Sequence, residues 1–564
     1  MFGTSRLLLL YCVRIIVAFM KRFLSTLFII GLIQSSFAQW TANPGNPLRV
    51  CSKNSNQTGV WTFPDGNGGT QVFWLDDRNG GGTSDIALVG QHLDANGNKL
   101  LPDTGKVVVF NPALKTSHFG IAKDPSGNFW IAWTLTTQTR MDSMVLQKFN
   151  KTTLNPIWNK TKTIAKINAT SFNALYTESI RLLPIGDSLN MVYHVTWMGG
   201  SSVKFLNRAS AQGEIRFGVG KQLPGPGLNH GPSVALVNPD GTMFLIQREG
   251  NGAGTGVVAW KFDKNLKTNW GAKSLTTGTT GLGNPFEVNS DGNNGFIMGY
   301  ISNSPDDYMA IRVDSAGNFV WNPAHKPICN FSSSQSSPDM ELSNGILYAV
   351  WNDNRPPASN SDVYMQKIDI STGERLWNPN GRRIFRLNSY IPTPKIRALN
   401  NGDLIVTSFQ SSTGFVAQKV KPDSSLVWPG YGMLISTEIA NSPFYGAYGL
   451  SNGNNGNVFV AWQNPSSKIL IAGAADNGTL ITENEAVLVT GQGVQLFPNP
   501  NSGRLYFKGL SGTRQKVTVT DAIGRVVLSA FMDVTQEEAT LDHQLKQGFY
   551  MIRIGKEQMR MVVR

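Results

Sequence analysis

Eight times along the chain a short, almost unbroken apolar run recurs: TQVFW, NFWIAW, LNMVYHV, TMFLIQ, GFIMGY, ILYAVW, LIVTSF and NVFVAW. Each is too short for a buried helix and rich in β-branched and aromatic residues, so each predicts a strand. Antiparallel strands with one wet face alternate apolar and polar residues, so these runs predict sheets covered on both faces. A further strand follows most of them and ends in a turn: GQHLDANG, LQKFNKTT, AWKFDKNL, AIRVDSAG, MQKIDIST and AQKVKPDS. There Asp caps its own backbone and Gly takes the positive φ of a short hairpin. Asp94 with Gly97 and Asp314 with Gly317 fit this turn, whereas the fourth and seventh copies lack the Gly.

Each turn leads to an apolar position that is often Trp. The segments NKLL101, NPIW158, EIRF217, KTNW270, NFVW321, ERLW377, SLVW428 and GTLI480, numbered by their last residue, are 57, 59, 53, 51, 56, 51 and 52 positions apart. This is a repeat, and the tryptophans are expected to be core residues. Upstream, Pro232, Pro285, Pro338, Pro394 and Pro443 mark the start of another strand, and GKVVVF, GRRIF and AVLVT supply a closing one. The unit is therefore a four-stranded sheet. Stacked face to face in a ring, such sheets form a β-propeller, which buries both faces and protects most edges. The fold class is all-β: a propeller of eight blades, or seven if a terminal copy is degenerate, followed by a small Ig-like β-sandwich. A β-solenoid is a weaker third choice.

Composition agrees with a turn-rich β protein: 15% charged residues and 58 glycines in 564. The formal charge of +13 includes four basic residues in the first 38 positions, leaving 13 − 4 = +9. Residues 497–564 hold ten Lys/Arg and six Asp/Glu, leaving 9 − 4 = +5 for the repeats. No basic run or stripe occurs, which argues against nucleic-acid binding.

The N-terminus predicts a signal peptide over residues 1–38, with Met20 a natural start. Lys21 and Arg22 precede the apolar stretch Phe23 to Ile33, and Ser36 and Ala38 fit the −3 and −1 positions, so cleavage is expected between Ala38 and Gln39. Charges at Arg14, Lys21 and Arg22 break any apolar run of the roughly 18 residues that a membrane span needs. Cys51 and Cys329 then remain, with no metal spacing, and unpaired buried thiols are expected.

The propeller repeats are assigned to residues 39–490 and the terminal domain to 496–564. The repeats resemble W-x-D-x-R…D-x-Y-x-Q-K-x-D-x-x-G-x-x-x-W units of uncharacterised exported bacterial propeller proteins. Trp351, Asp353, Arg355, Asp362, Tyr364, Gln366, Lys367, Asp369, Gly373 and Trp377 match most fully. That resemblance implies a fold and no activity, and the turn spacing departs from the sialidase Asp-box. The tail, LFPNPNSGRLYF…VTVTDAIGRVV…LKQGFYMIRI…MRMVVR, resembles the type A C-terminal sorting domain of the type IX secretion system. The motif positions are Pro498, Asn499, Pro500 and Gly503, then Asp521, Gly524 and Arg525, then Gly548 and Tyr550. The resemblance implies export through the Sec translocon, passage of the outer membrane by the type IX machinery, removal of the tail, and release or attachment to surface lipopolysaccharide. Asp142, Asp187 and Asp314 each open an Asp-Ser-apolar triplet that resembles the O-glycosylation motif of bacteria using this route.

No catalytic constellation is evident. The histidines are isolated, no nucleophile elbow or complete Walker loop occurs, and neither a metal nor a cofactor is expected. The loops after the second strands should share one face of the ring, bringing together Asp76, Asp77 and Arg78, Arg248 and Glu249, Asp306 and Asp307, and Asp353 and Arg355. Asp76, Arg78, Glu249, Asp306, Asp307, Asp353 and Arg355 are the candidate ligand-binding residues. Paired carboxylates could serve a glycoside hydrolase or lyase. Because W-x-D-x-R occurs twice, bracing of the local turn is the preferred role of Asp76/Arg78 and Asp353/Arg355. His118 and His230 could line the channel mouth. The expected function is binding of a glycan or protein at the cell surface, with polysaccharide degradation as the alternative.

Overall fold

The computed structural model describes residues 44–480 and 495–563, less several short internal stretches. The chain divides into two compact units, Met1–Glu483 and Asn484–Arg564.

The described strands of the first unit form eight antiparallel sheets. Seven follow chain order, over residues 57–109, 115–166, 174–222, 233–274, 286–329, 335–389 and 393–436. In the third the inner strand comes in two pieces, Ala174–Tyr176 and Ile180–Ile185. The eighth differs from expectation. Its three strands, Tyr448–Asn452, Val458–Gln463 and Ile469–Ala474, are completed by Leu48–Arg49, with Leu48 opposite Ile471 and Arg49 opposite Leu470. The closing strand expected in AVLVT lies outside the described residues. Sharing the last sheet between the two ends of the unit ties the ring shut, with Leu48–Arg49 as the outer strand of that blade. Val50 extends the seam by donating to the Ile469 carbonyl, and the buried Gln57 side chain accepts from the Ile469 amide at 2.9 Å.

The apolar runs become the second strands and are buried almost throughout, as in Phe296–Ile301 and Ile346–Asp353. Successive inner strands touch one another from residue 115 round to Gln57–Pro64, and blades one and two meet through Phe63, Phe73 and Phe129. The eight blades thus enclose a central channel.

The structure gives each position of the repeat a role. Buried Gln366 donates to the Asn378 carbonyl and accepts from the amides of Lys367 and Trp377, stapling the third strand to the chain that returns beside it. Gln91, Gln147 and Gln418 make the same three contacts, and Asn207 makes them in blade three. The following basic residue reaches an Asp in the first turn of the blade: His92 to Asp65, Lys148 to Asp124, Arg312 to Asp291 and Lys419 to Asp403. Asp94 and Asp314 cap their turns as expected, each accepting two backbone amides. In the fourth and seventh copies Leu266 and Ser424 adopt the positive φ without glycine, and Leu154 does the same in the second copy, which also lacks it.

The terminal tryptophans pack against the next blade. Trp321 donates to the Ile370 carbonyl, and a Cβ on Gly373 would lie 2.7 Å from its ring. Trp321 and Trp428 are buried as expected, whereas Trp158, Trp270 and Trp377 are half-buried at the rim. Trp377 lies against the core shared by blades six and seven and also packs on Tyr348 of its own blade, with ring centroids 6.4 Å apart.

The second unit is a sandwich. Gln495–Phe497, Arg504–Lys508 and Glu538–Asp542 form one sheet. Val526–Asp533, Arg514–Asp521, Gly548–Ile554 and Glu557–Val563, in that order, form the other. Alternate residues Leu505, Phe507, Val517, Val519, Ile552 and Ile554 fill the space between them.

Candidate functional site

The ends of the second strands share one face of the ring because every blade runs in the same sense. The two W-x-D-x-R copies are superimposable in chemistry. Asp76 accepts from Trp74 Nε1 and Arg78 Nη2, both at 2.9 Å, and from the Arg78 amide. Asp353 accepts from Trp351 Nε1 at 3.1 Å, from Ser333 Oγ at 2.6 Å, and from the Arg355 amide and guanidinium. Both carboxylates are fully buried. Burial alone would raise their pKa values, but Arg78 and Arg355, with the other donors, hold both below the ordinary carboxylate range. These groups brace their turns.

The cysteines belong to the same construction, which spacing did not reveal. Cys51 follows the strand that closes blade eight and Cys329 ends the outer strand of blade five, so each lies beside the brace of the next blade. Arg78 Nη2 is 3.8 Å from Cys51 Sγ, and Arg355 Nη2 is 3.4 Å from Cys329 Sγ. Both thiols are free and buried, and burial raises their pKa values.

The remaining loop candidates are less assembled. Asp307 closes a turn with Ser302, whose hydroxyl accepts its amide. Glu249 sits opposite Gly256, and Arg248, next to it, is half-buried. The Glu249 side chain, Asp306, and the His118 and His230 side chains lie outside the described residues. Between blades eight and one, a cavity of about 320 Å³ is lined by Asn56, Leu75, the candidate Asp76, Asp77, Ile86 and Ser467. Asp77 accepts from both the amide and the side chain of Asn56. Among the described residues no group of three or more His, Cys, Asp or Glu could hold a metal ion.

A second charged constellation lies in the channel. Glu287, Asp339 and Glu341, Lys395 and Arg397, and Arg181 stand on the inner strands of blades five, six, seven and three. Part of this wall is structural. An innermost strand has a free edge, and alternate amides of Thr393–Ala398 point away from its partner strand. Asp339 accepts the Ile396 amide at 2.8 Å and Glu341 accepts the Ala398 amide at 3.4 Å. Lys395 donates to the Tyr448 carbonyl at 2.5 Å and lies 4.5 Å from the ring centroid of Tyr448.

Burial, with Asp339 nearby, pushes Glu287 up to about 7. Burial also raises Asp339 and Glu341 against the pull of Arg397, and it lowers Lys395 to about 8. Sequence reasoning missed these residues because no motif contains them. A usable sign was present: PFE, PDME and PKIR place charge one to three positions after the prolines that mark inner strands.

In the sandwich, Asp521 accepts both the amide and Nε of Arg525 at 2.9 Å, which locks the turn carrying that motif. Tyr550 donates to the Lys546 carbonyl, and Gly503 has a φ of +118° where its carbonyl accepts from His543. Pro498, Asn499, Pro500 and Gly524 lie outside the described residues.

No curated protein matches the chain. Among solved structures it is similar to a protein of unknown function from Dyadobacter fermentans DSM 18053, with 10% identity, TM-score 0.33, and coverage of 59% of this chain and 99% of that one. A PL25 polysaccharide lyase, an ulvan lyase, gives 9% identity, TM-score 0.40, and coverage of 67% and 95%. An endo-arabinase from Bacteroides thetaiotaomicron VPI-5482 gives 11% identity, TM-score 0.28, and coverage of 53% and 92%. At these scores none of them bears on activity. Residues 495–564 match the secretion system C-terminal sorting domain. The chain therefore ends in a domain of that family, which engages the type IX secretion machinery, and the protein is exported by that system to the cell surface or beyond it.

Proposed function

We propose that the propeller is a binding module, displayed or released outside the cell, that recognises a glycan or protein ligand. Its maturation would follow Sec export, with cleavage between Ala38 and Gln39 and removal of the sorting domain, and with attachment to lipopolysaccharide as one fate. The observation that carries the binding reading is the engagement of the charged groups. Asp76 and Asp353 are buried in braces, and Asp339 and Glu341 accept strand-edge amides. None of them is set as a nucleophile beside a base and its orienting partner. A glycan array run beside a reducing-end assay on the same polysaccharides tests this: binding without product supports it, and turnover overturns it.

One observation favours a second reading, polysaccharide cleavage. Glu287 sits near Asp339 and titrates near neutrality, as a general acid should. Under that reading Glu287→Gln abolishes turnover and leaves binding intact.

A further inference from the structure

We infer that the channel wall formed by the inner strands of blades three and five to seven binds acidic polysaccharide, a uronate or sulfated chain whose anionic groups dock on Arg181, Arg397 and Lys395. The inference rests on the binding reading above and names its site and ligand class. Two features carry it.

The first is cation supply. Arg181 is exposed, and the Arg397 side chain keeps 37% of its surface accessible. The Arg397 contacts to Asp339 and the Ile396 carbonyl both use Nη1, whereas a guanidinium carries five N–H donors in a fork suited to carboxylate or sulfate. Lys395 stands two residues away on the same strand.

The second is the state of the acids. Asp339 and Glu341 turn their oxygens to amides of the neighbouring strand, so part of their charge is satisfied within the wall. Glu287, facing Asp339, Arg397, Lys395 and Arg181, is neutral over part of the physiological range and then donates a hydrogen bond instead of repelling an anion.

Cations on separate blades with the Glu287 carboxyl facing them suit a chain that alternates anionic groups with hydroxyls.

The test measures affinity of the full mature protein for polygalacturonate, alginate and a sulfated polysaccharide, against neutral galactan and arabinan, at pH 6 and pH 8. We expect retention by at least one acidic polymer and none by the neutral ones, tighter at pH 6. Arg397→Gln and Arg181→Gln should each weaken binding roughly tenfold, the equivalent of one charge-assisted contact. Arg397→Lys should keep most of the affinity, and Glu287→Gln should flatten the pH dependence. If Arg397→Gln does not fold, Arg181→Gln decides. Failure of every acidic polymer to bind, or wild-type affinity in both arginine variants, overturns the site. Binding of a neutral glycan or a protein that survives in those variants overturns the site while the binding reading stands. Cleavage of an acidic polymer that is lost in Arg397→Gln supports the site and overturns the binding-only reading.

Discussion

Replacing Asp353 by Ala tests whether the repeated charged loop residues are braces. The carboxylate accepts five hydrogen bonds, from Trp351 Nε1, Ser333 Oγ, the amide and guanidinium of Arg355, and the Cys329 thiol at 3.8 Å. Its removal strands a largely buried guanidinium, whose side chain is 11% exposed, and the N–H of a tryptophan with no exposure. Breaking a buried pair by deleting one partner costs about 3–5 kcal/mol. Asp353→Asn keeps an oxygen acceptor and loses the charge, and should cost about 1.5–3 kcal/mol, the range for hydrogen bonds to charged groups. The double variant Asp353→Ala/Arg355→Ala should be destabilised by less than the sum of its parts, because the second change removes the uncompensated cation.

The folded pKa of Asp353 lies below its unfolded value of about 3.9, so its contribution is full above that value and fades as pH falls through the folded pKa. The loss should therefore be constant between pH 6 and 8 and shrink below about pH 4. Urea unfolding, read by tryptophan fluorescence on the propeller transition, measures it. Unchanged stability in Asp353→Ala together with lost ligand affinity would refute the bracing argument and return Asp353 to the ligand site.

Trp321→Ala should destabilise the propeller by about 3–5 kcal/mol and the half-buried Trp377→Ala by clearly less, in the same assay; equal losses would contradict the rim position of Trp377. Gly373→Ala forces a side chain onto a φ of +74° and against the Trp321 ring, and a loss of more than about 1 kcal/mol is expected in melting or urea experiments. Glu287 binds its proton more tightly when folded than unfolded, so its contribution is full below the unfolded value of about 4.3 and is lost as pH rises to about 7. Glu287→Gln should accordingly gain stability over the wild type as pH rises through that window, and a difference independent of pH would contradict its burial. Intact-mass analysis of the exported protein should find Gln39 at the start and no sorting domain, and deletion of residues 496–564 should stop export; surface display of the truncated chain would count against the tail's role.

Local signals determined much of this protein from sequence alone. The period of apolar runs, the Asp and Gly of the turns and the recurrent Trp specify a four-stranded unit, because each acts within its own hairpin or on a surface one blade away. The sorting domain was equally legible, since its motifs lie within about 70 residues and in fixed order. Even the bracing role of Asp76 and Asp353 could be argued from repetition, because the partners Arg78 and Arg355 stand two residues along the chain.

What only the tertiary structure decided are contacts between residues far apart in sequence. Leu48–Arg49 completes a sheet with residues more than 400 positions away, a pairing that two residues are too few to announce. Cys51 and Cys329 had no spacing to relate them, because their equivalence is a matter of place in the ring and not of distance along the chain. The channel charges were passed over for the same reason. Glu287, Asp339, Lys395 and Arg397 each look like an ordinary polar position on its own strand. Closing the ring brings them into one low-dielectric space, where burial and mutual charge move the titration of Glu287, Asp339 and Lys395, and no single blade contains that environment.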